Sequence, residues 1–267
     1  MASEWLIDAL RAYEFRGKMR LLSWLAPKGG VRRACVHGAW MELDLSDIIQ
    51  WQIYLGCVGR SEVAAVRRCL RPGGVMIDVG ANVGYFTALG ARCIGLTGRV
   101  FAVEPSPHAF KMLSEMVASN NLQGVILLQA GLGTENGEMT LYLPPESAHN
   151  HSPTMVPNGE WRPISVPVWA LDDCLAEWSV DHVDLLKIDV EGYEPKVFAG
   201  AAKTLAAGRI GAILCEFNDY WLRADGSSPQ ALWQTLADVG FVDAEHPSRI
   251  PTFLAGCCVT RLLRYRG

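Results

Sequence analysis

Five short apolar runs constrain this chain more than any other feature: VMIDVG (75–80), RVFAVE (99–104), VILLQAGL (125–132), DLLKIDV (184–190) and GAILCEF (211–217). Such strands are apolar on both faces, so they belong in a parallel sheet covered by helices on each side. Helical spacing over Val83 to Ile94, Pro107 to Ser119, Pro195 to Ala207 and Pro229 to Val239 supplies the cover, with Ser106 as an N-cap ahead of Pro107. TFLAGCCVTRLL (252–263) reads as a last strand. The expectation is an α/β, doubly wound, mostly parallel sheet.

At 267 residues the chain accommodates one such domain over 71–267, preceded by a cap over 1–70. The cap reads as a helix from Ser3 to Ala26 ended by Pro27-Lys28-Gly29-Gly30, a strand or hairpin over Cys35 to Leu45, and a helix over Ser61 to Leu70. Its first 33 residues hold seven Lys/Arg against three acids, and the cap is expected to serve substrate or dimer contacts. Trp5, Trp24, Trp40 and Trp51 are candidates for seating it or for a homodimer surface. An insertion follows the third strand: MTLYLP (139–144), a polar Pro-rich loop over 145–162 and an alternating ISVPVWAL (164–171).

With 24 Lys plus Arg against 28 Asp plus Glu, the net charge of -4 provides no global field for a nucleic acid partner. The eight cysteines are scattered without a CxxC, which suits neither a disulfide framework nor a zinc cage. Reduced thiols, a start (MASEWLIDAL) unlike a secretory signal and the lack of an 18-residue apolar run predict a cytoplasmic protein without a transmembrane segment.

The strongest local feature is Asp78-Val79-Gly80-Ala81-Asn82-Val83-Gly84-Tyr85-Phe86-Thr87, where a strand passes into a helix. Gly80 and Gly84 permit a tight turn and close backbone approach to a ligand, and Asp78 at the strand end can meet a cationic or hydroxylated group. Glu104 ends the next strand, where an acid hydrogen-bonds the hydroxyls of a ribose. Asn82 stands in place of the middle glycine of a dinucleotide turn, so a cofactor without phosphates fits better than NAD. S-adenosylmethionine is such a cofactor, with Asp78 and the amides near Gly80 placed to receive its ammonium and carboxylate.

DVGANVGYFT, AVEPSP, SNN, QAGLG, LLKIDVEGYE and a distal CEF together resemble the FkbM-type methyltransferases, over residues 74–218. That resemblance implies the seven-stranded, mostly parallel sheet of a class I, Rossmann-like methyltransferase fold and S-adenosylmethionine-dependent methylation, mostly of hydroxyls on sugars, glycans and other natural products. It implies further that Asp78, Gly80, Asn82, Gly84 and Thr87 shape the methionine end, Glu104 the ribose, and Gln129 with Ala130 the adenine side.

In KIDVEGYE, strand alternation would send Lys187, Asp189 and Glu191 to one side. Methylation of an alcohol needs a base to remove the proton as the oxygen attacks. Asp189 is the first candidate, Glu191 the second, with Lys187 as electrostatic partner and Glu216 reaching in from a neighbouring strand. His149 and His151 are alternative bases in the polar loop. Asp189, Glu191, Glu216 and His151 could together form a divalent-metal site, but no dense cluster specifies one and none is predicted. His37, His108, His182 and His246 are assigned surface or packing roles, and Trp161, Trp169 and Trp221 core or lid packing, with a platform for a sugar ring as the alternative. The rivals to hydroxyl methylation are amine methylation, an NAD-linked oxidoreductase and a noncatalytic binding protein.

Overall fold

The computed structural model describes residues 17–145 and 160–266. His149, His151, Trp5 and most of the 145–162 loop therefore lie outside the described residues. Among these the chain opens with helix α1 (Lys18–Leu25), a hairpin of β1 (Val31–Val36) and β2 (Ala39–Asp44), then α2 (Ile48–Tyr54) and α3 (Arg60–Cys69). His37 and Gly38 take positive φ at the hairpin tip, as a two-residue turn matching strand twist requires.

The main sheet begins at β3 (Val75–Val79) and continues through α4 (Tyr85–Ile94), β4 (Arg99–Val103), α5 (Pro107–Ser119) and β5 (Val125–Leu128). After a second, three-stranded sheet of β6 (Gly131–Gly133), β7 (Gly137–Leu143) and β8 (Arg162–Ala170), helix α6 (Leu171–Glu177) leads back to β9 (Leu185–Ile188). Helices α7 (Glu194–Ala199) and α8 (Ala202–Ala206), strand β10 (Ala212–Asn218), helices α9 (Asp219–Ala224) and α10 (Pro229–Asp238), and strands β11 (Phe241–Asp243) and β12 (Cys258–Tyr265) complete the chain.

The seven strands lie in the order β11-β12-β10-β9-β3-β4-β5, with β12 antiparallel to both its neighbours and the β10, β9, β3, β4 and β5 contacts all parallel. Ile77, Val79, Phe101 and Val103 enter one core, while Met76, Val100 and Ala102 enter cores on the opposite face. Burial on both faces is why β3 and β4 are apolar along nearly their whole length, Asp78 excepted. The chain winds outward from β3 to β5 and then returns to β9 on the other side of β3. That reversal leaves a crevice beyond the carboxyl ends of β3 and β9, the place where open sheets hold ligands.

Three expectations need correction. VILLQAGL is not one strand: it breaks after Leu128, and Gly131–Gly133 joins β8 in the second sheet. Glycine makes the change of sheet feasible, since a Cβ on Gly131 would lie 2.5 Å from the Met139 Cε and one on Gly133 2.8 Å from a Val168 methyl. The helix over Pro195 to Ala207 divides at Gly200, whose missing Cβ lets the backbone press on the Gly133 carbonyl. The last strand starts at Cys258 rather than Thr252, because Gly256 turns with φ +72°. The short elements α2, α9 and β11 were not expected.

The hairpin and α2 share a hydrophobic cluster with the main domain. Ala34, Met41, Leu43 and Ile53 pack with Ala81, Val83, Leu113 and Met116, which flank the glycine turn and line α5. Trp51 is buried and donates from its indole to the Pro27 carbonyl, whereas Trp24 is 83% exposed and Trp40 49% exposed.

Candidate active site

The crevice opens on the glycine turn. Gly80 has φ +74°, and a Cβ there would fall on the Asp189 carbonyl oxygen, so β3 and β9 meet at their ends with no room for a side chain. The Gly80 and Ala81 amides both donate to the Val103 carbonyl at 3.0 and 3.1 Å. Asn82 sits at φ +50°, a left-handed conformation that asparagine tolerates, and its Oδ1 accepts from the Val83 amide at 2.8 Å. Gly84 caps α4 at φ +93° and packs against Leu113 and Met116.

Gly80, Asn82, Glu104 and Ala130 line the cavity. Asp78, Gly84 and Thr87 do not; they lie behind its wall. Asp78 is fully buried, accepting from the Thr87 hydroxyl at 2.7 Å, and sits opposite Lys187 in the β3–β9 register. Gln129 is exposed at the break between β5 and β6, away from the lining. Glu104 accepts from the Asn82 amide through Oε2 and from the Ser106 amide through Oε1, both at 2.8 Å. Two amides bind one lone-pair site on each oxygen, and a carboxylate has about four. Burial outweighs these amide bonds and pushes the Glu104 carboxyl up to about 7.

At the other end Lys187 is buried, with Nζ 3.5 Å from Asp78 Oδ1, 3.5 Å from Asp189 Oδ2 and donating to the Gly80 carbonyl at 3.1 Å. Burial alone would lower its pKa, but the Asp189 and Asp78 carboxylates together hold it above the ordinary lysine value. The Asp189 side chain is 43% exposed and faces the cavity. Glu191 also reaches the cavity, although not by strand alternation. The strand ends at Ile188, and the chain turns through Glu191 at φ +52° and Gly192 at φ +96°. Burial, followed by the charges of Asp189, Glu216 and Glu194, pushes Glu191 up to about 8, so it is protonated at neutral pH. Glu216 is raised in the same direction by burial and by Asp189, against hydrogen bonds from Cys258 and Asn218.

Sequence reasoning missed several contributors. Glu194 is fully buried and accepts from the Val190 and Gly192 amides at 3.2 and 3.3 Å, fixing the turn that carries Asp189 and Glu191. Burial lifts it to about 7. His108, expected in a surface or packing role, stands at the exposed rim of the cavity beside Pro105, and Tyr85, Ile53 and Val58 form its wall toward the hairpin. Adjacency of AVEP to SPH was a signal for His108. The 1–70 cap was expected to serve substrate or dimer contacts, but nothing singled out Ile53 and Val58 as its wall residues. Trp161, Trp169 and Trp221 do not line the cavity.

Five acids line this cavity, Asp47, Glu104, Asp189, Glu191 and Glu216, and among the described residues its only lysine or arginine is Lys187, which two aspartates already neutralise. A pyrophosphate would meet repulsion here, whereas a cationic sulfonium with a ribose suits both ends. Among the described residues no group of three His, Cys, Asp or Glu is arranged to hold a metal ion, and no helix is long and apolar enough to cross a membrane.

Residues 78–242 match the family described as the methyltransferase FkbM domain. Over 143 residues the chain is 29% identical to Methyltransferase 1 of Beauveria bassiana, covering 47% of this chain and 57% of that protein. It is 28% identical over 196 residues to the hexuronic acid methyltransferase AglP of Haloferax volcanii, covering 70% and 76%. A third relative, the 31-O-demethyl-FK506 methyltransferase FkbM of Streptomyces tacrolimicus, is 30% identical over 179 residues, covering 56% and 67%. The chain thus spans less than two thirds of the first of these proteins. A doubly wound sheet, a glycine turn at its reversal point, a cavity suited to a sulfonium nucleoside and a family match across 78–242 lead to one assignment: the chain belongs to the FkbM family of S-adenosylmethionine-dependent methyltransferases.

Proposed function

We propose that this protein methylates a hydroxyl of a sugar, glycan or related natural product. The observation that carries the reading is the cluster at the β9 end of the cavity, where Asp189, neutral Glu191 and Glu216 surround the opening beyond the glycine turn. Carboxylates accept hydrogen bonds from hydroxyls, and a protonated carboxyl donates one, so this cluster can grip a polyol in a fixed orientation. The bound cofactor supplies an electrophilic methyl group. Asp189 holds the acceptor hydroxyl and takes its proton as the carbon–oxygen bond forms, with Lys187 moderating its charge. Glu191 donates to a neighbouring oxygen. Relatives named for a hexuronic acid and for 31-O-demethyl-FK506 support an oxygen acceptor.

Incubation with S-adenosylmethionine and a panel of saccharides and hydroxylated macrolides should yield S-adenosylhomocysteine and a product heavier by one methylene, with the methyl on oxygen by NMR. Methylation confined to amines would overturn the proposal.

Cofactor affinity is expected to depend on pH through Glu104. The ionised carboxylate is the better acceptor for ribose hydroxyls, and its pKa before binding is about 7. Below that value binding must expel a proton, so the Kd should rise by up to about tenfold per pH unit as pH falls, and level off above 7. Calorimetric titration between mildly acidic and mildly alkaline buffers checks this, and Glu104→Gln should flatten the slope. A wild-type affinity independent of pH would remove Glu104 from the ribose.

A further inference from the structure

A second groove lies behind the Ile53, Val58 and Tyr85 wall, and its charge is opposite to that of the cavity. It lies between the hairpin and α3. Arg60, Val63, Ala64 and Arg67 line it from the helix, and their spacing of three, four and seven residues puts them on one face, with the two arginines separated by about 10 Å along the axis. From the hairpin come Arg33, His37 and Trp40. Among the described residues no acid lines this groove.

Two acids flank these arginines, Glu62 on α3 and Glu42 on β2. Glu62 accepts from Ser61 at 2.8 Å. Glu42 is the cross-strand neighbour of Arg33, yet the Arg33 guanidinium lies over the Trp40 ring, 4.9 Å from its centroid. His37 stands edge-on to Tyr85 at 4.6 Å, and its buried Nε2 has no hydrogen-bond partner. Burial first, and the Arg67 charge second, lower its pKa to about 4, so it is neutral and can donate one hydrogen bond.

We infer that this groove is a binding subsite for an anionic group, a phosphate or carboxylate, carried by the acceptor at a distance from the hydroxyl that is methylated. Arg67 and Arg33 supply forked donors that match an oxyanion, and His37 in its Nε2–H tautomer would supply a further donor. The groove and the acid-lined cavity share Ile53, Val58 and Tyr85, so an anionic group held at the arginines is kept apart from those acids. This inference rests on the proposed methylation for the identity of the ligand, but the anion site itself does not.

The test titrates the full chain calorimetrically, at low ionic strength, with glucose 6-phosphate, glucuronate, glucose and, separately, S-adenosylmethionine. The first two are expected to bind and to weaken with added salt, with glucose at least tenfold weaker; comparison of the two anions tells phosphate from carboxylate. Arg67→Gln and Arg33→Gln should each weaken anion binding about tenfold, with thermal melts reporting that the variants fold. Equal affinity for glucose and both anions, or anion binding untouched by the two substitutions, would overturn the subsite. Absence of anion binding in a sample that binds S-adenosylmethionine and methylates a neutral polyol sinks the subsite alone. Anion binding without methyl transfer to any polyol sinks the proposed function and leaves the subsite standing.

Discussion

Asp189→Asn should lower turnover by about 10²- to 10⁴-fold, the range for removing a positioned base, with little change in cofactor affinity. The substitution preserves shape and still accepts a hydrogen bond, but an amide cannot take a proton. Lys187 keeps Asp78 as counter-ion, so the buried cation is not abandoned. A second effect separates this role from a structural one. The Asp189 charge raises Glu191 and Glu216, so its loss should bring both carboxyls down and shift what activity remains toward lower pH. Single-turnover rates across pH check both effects. Unchanged turnover, with the pH–rate profile displaced to lower pH than in the wild type, would transfer the role of base to Glu191, whose carboxyl the Asp189 charge no longer raises.

Lys187→Met should destabilise the fold by about 3–5 kcal/mol, because it strands a buried charge rather than deleting a pair. Asp78 has no exposure, and its Oδ1 accepts no hydrogen bond, with the Lys187 ammonium at 3.5 Å as its balancing charge. Methionine retains most of the lysine stem's volume, so the loss is electrostatic. In a domain of this size the melting temperature should fall by roughly 10 °C. Asp78→Asn combined with Lys187→Met should recover part of that loss, since the stranded charge is gone. Urea titration of the single and double variants measures the difference. Additive losses would mean that the two side chains do not interact.

These two residues illustrate what could be read from the chain. Strands buried on both faces leave a nearly continuous apolar run, so β3, β4, β9 and β10 were visible, as was a tight turn between Asp78 and Thr87. Depth was not visible. Asp78 and Thr87 stand at motif positions in the sequence but behind the cavity wall in space, because the β3–β9 register turns Asp78 toward Lys187. The break in VILLQAGL was hidden for a related reason, since both sheets demand apolar residues and only the glycine packing distinguishes them. Convergence of Glu191 on the cavity was expected from alternation and arises from a left-handed turn that Glu194 fixes. The arginine face of α3 was present as spacing, but only contact with the hairpin determines which face looks outward.

The hairpin carries a consequence for redesign. Its odd and even positions belong to different structures: Ala34, Val36, Ala39, Met41 and Leu43 are buried with the glycine turn and α5, while Val31, Arg33, Cys35, Trp40 and Glu42 are exposed. One strand pair thus separates a packed inner face from a solvent-facing outer one. Mutational libraries confined to the outer set can recast what approaches the groove without repacking the layer beneath the cofactor cleft. Randomising the inner set instead would propagate through Leu113 and Met116 to Gly84, and would couple any change of clientele to loss of the fold.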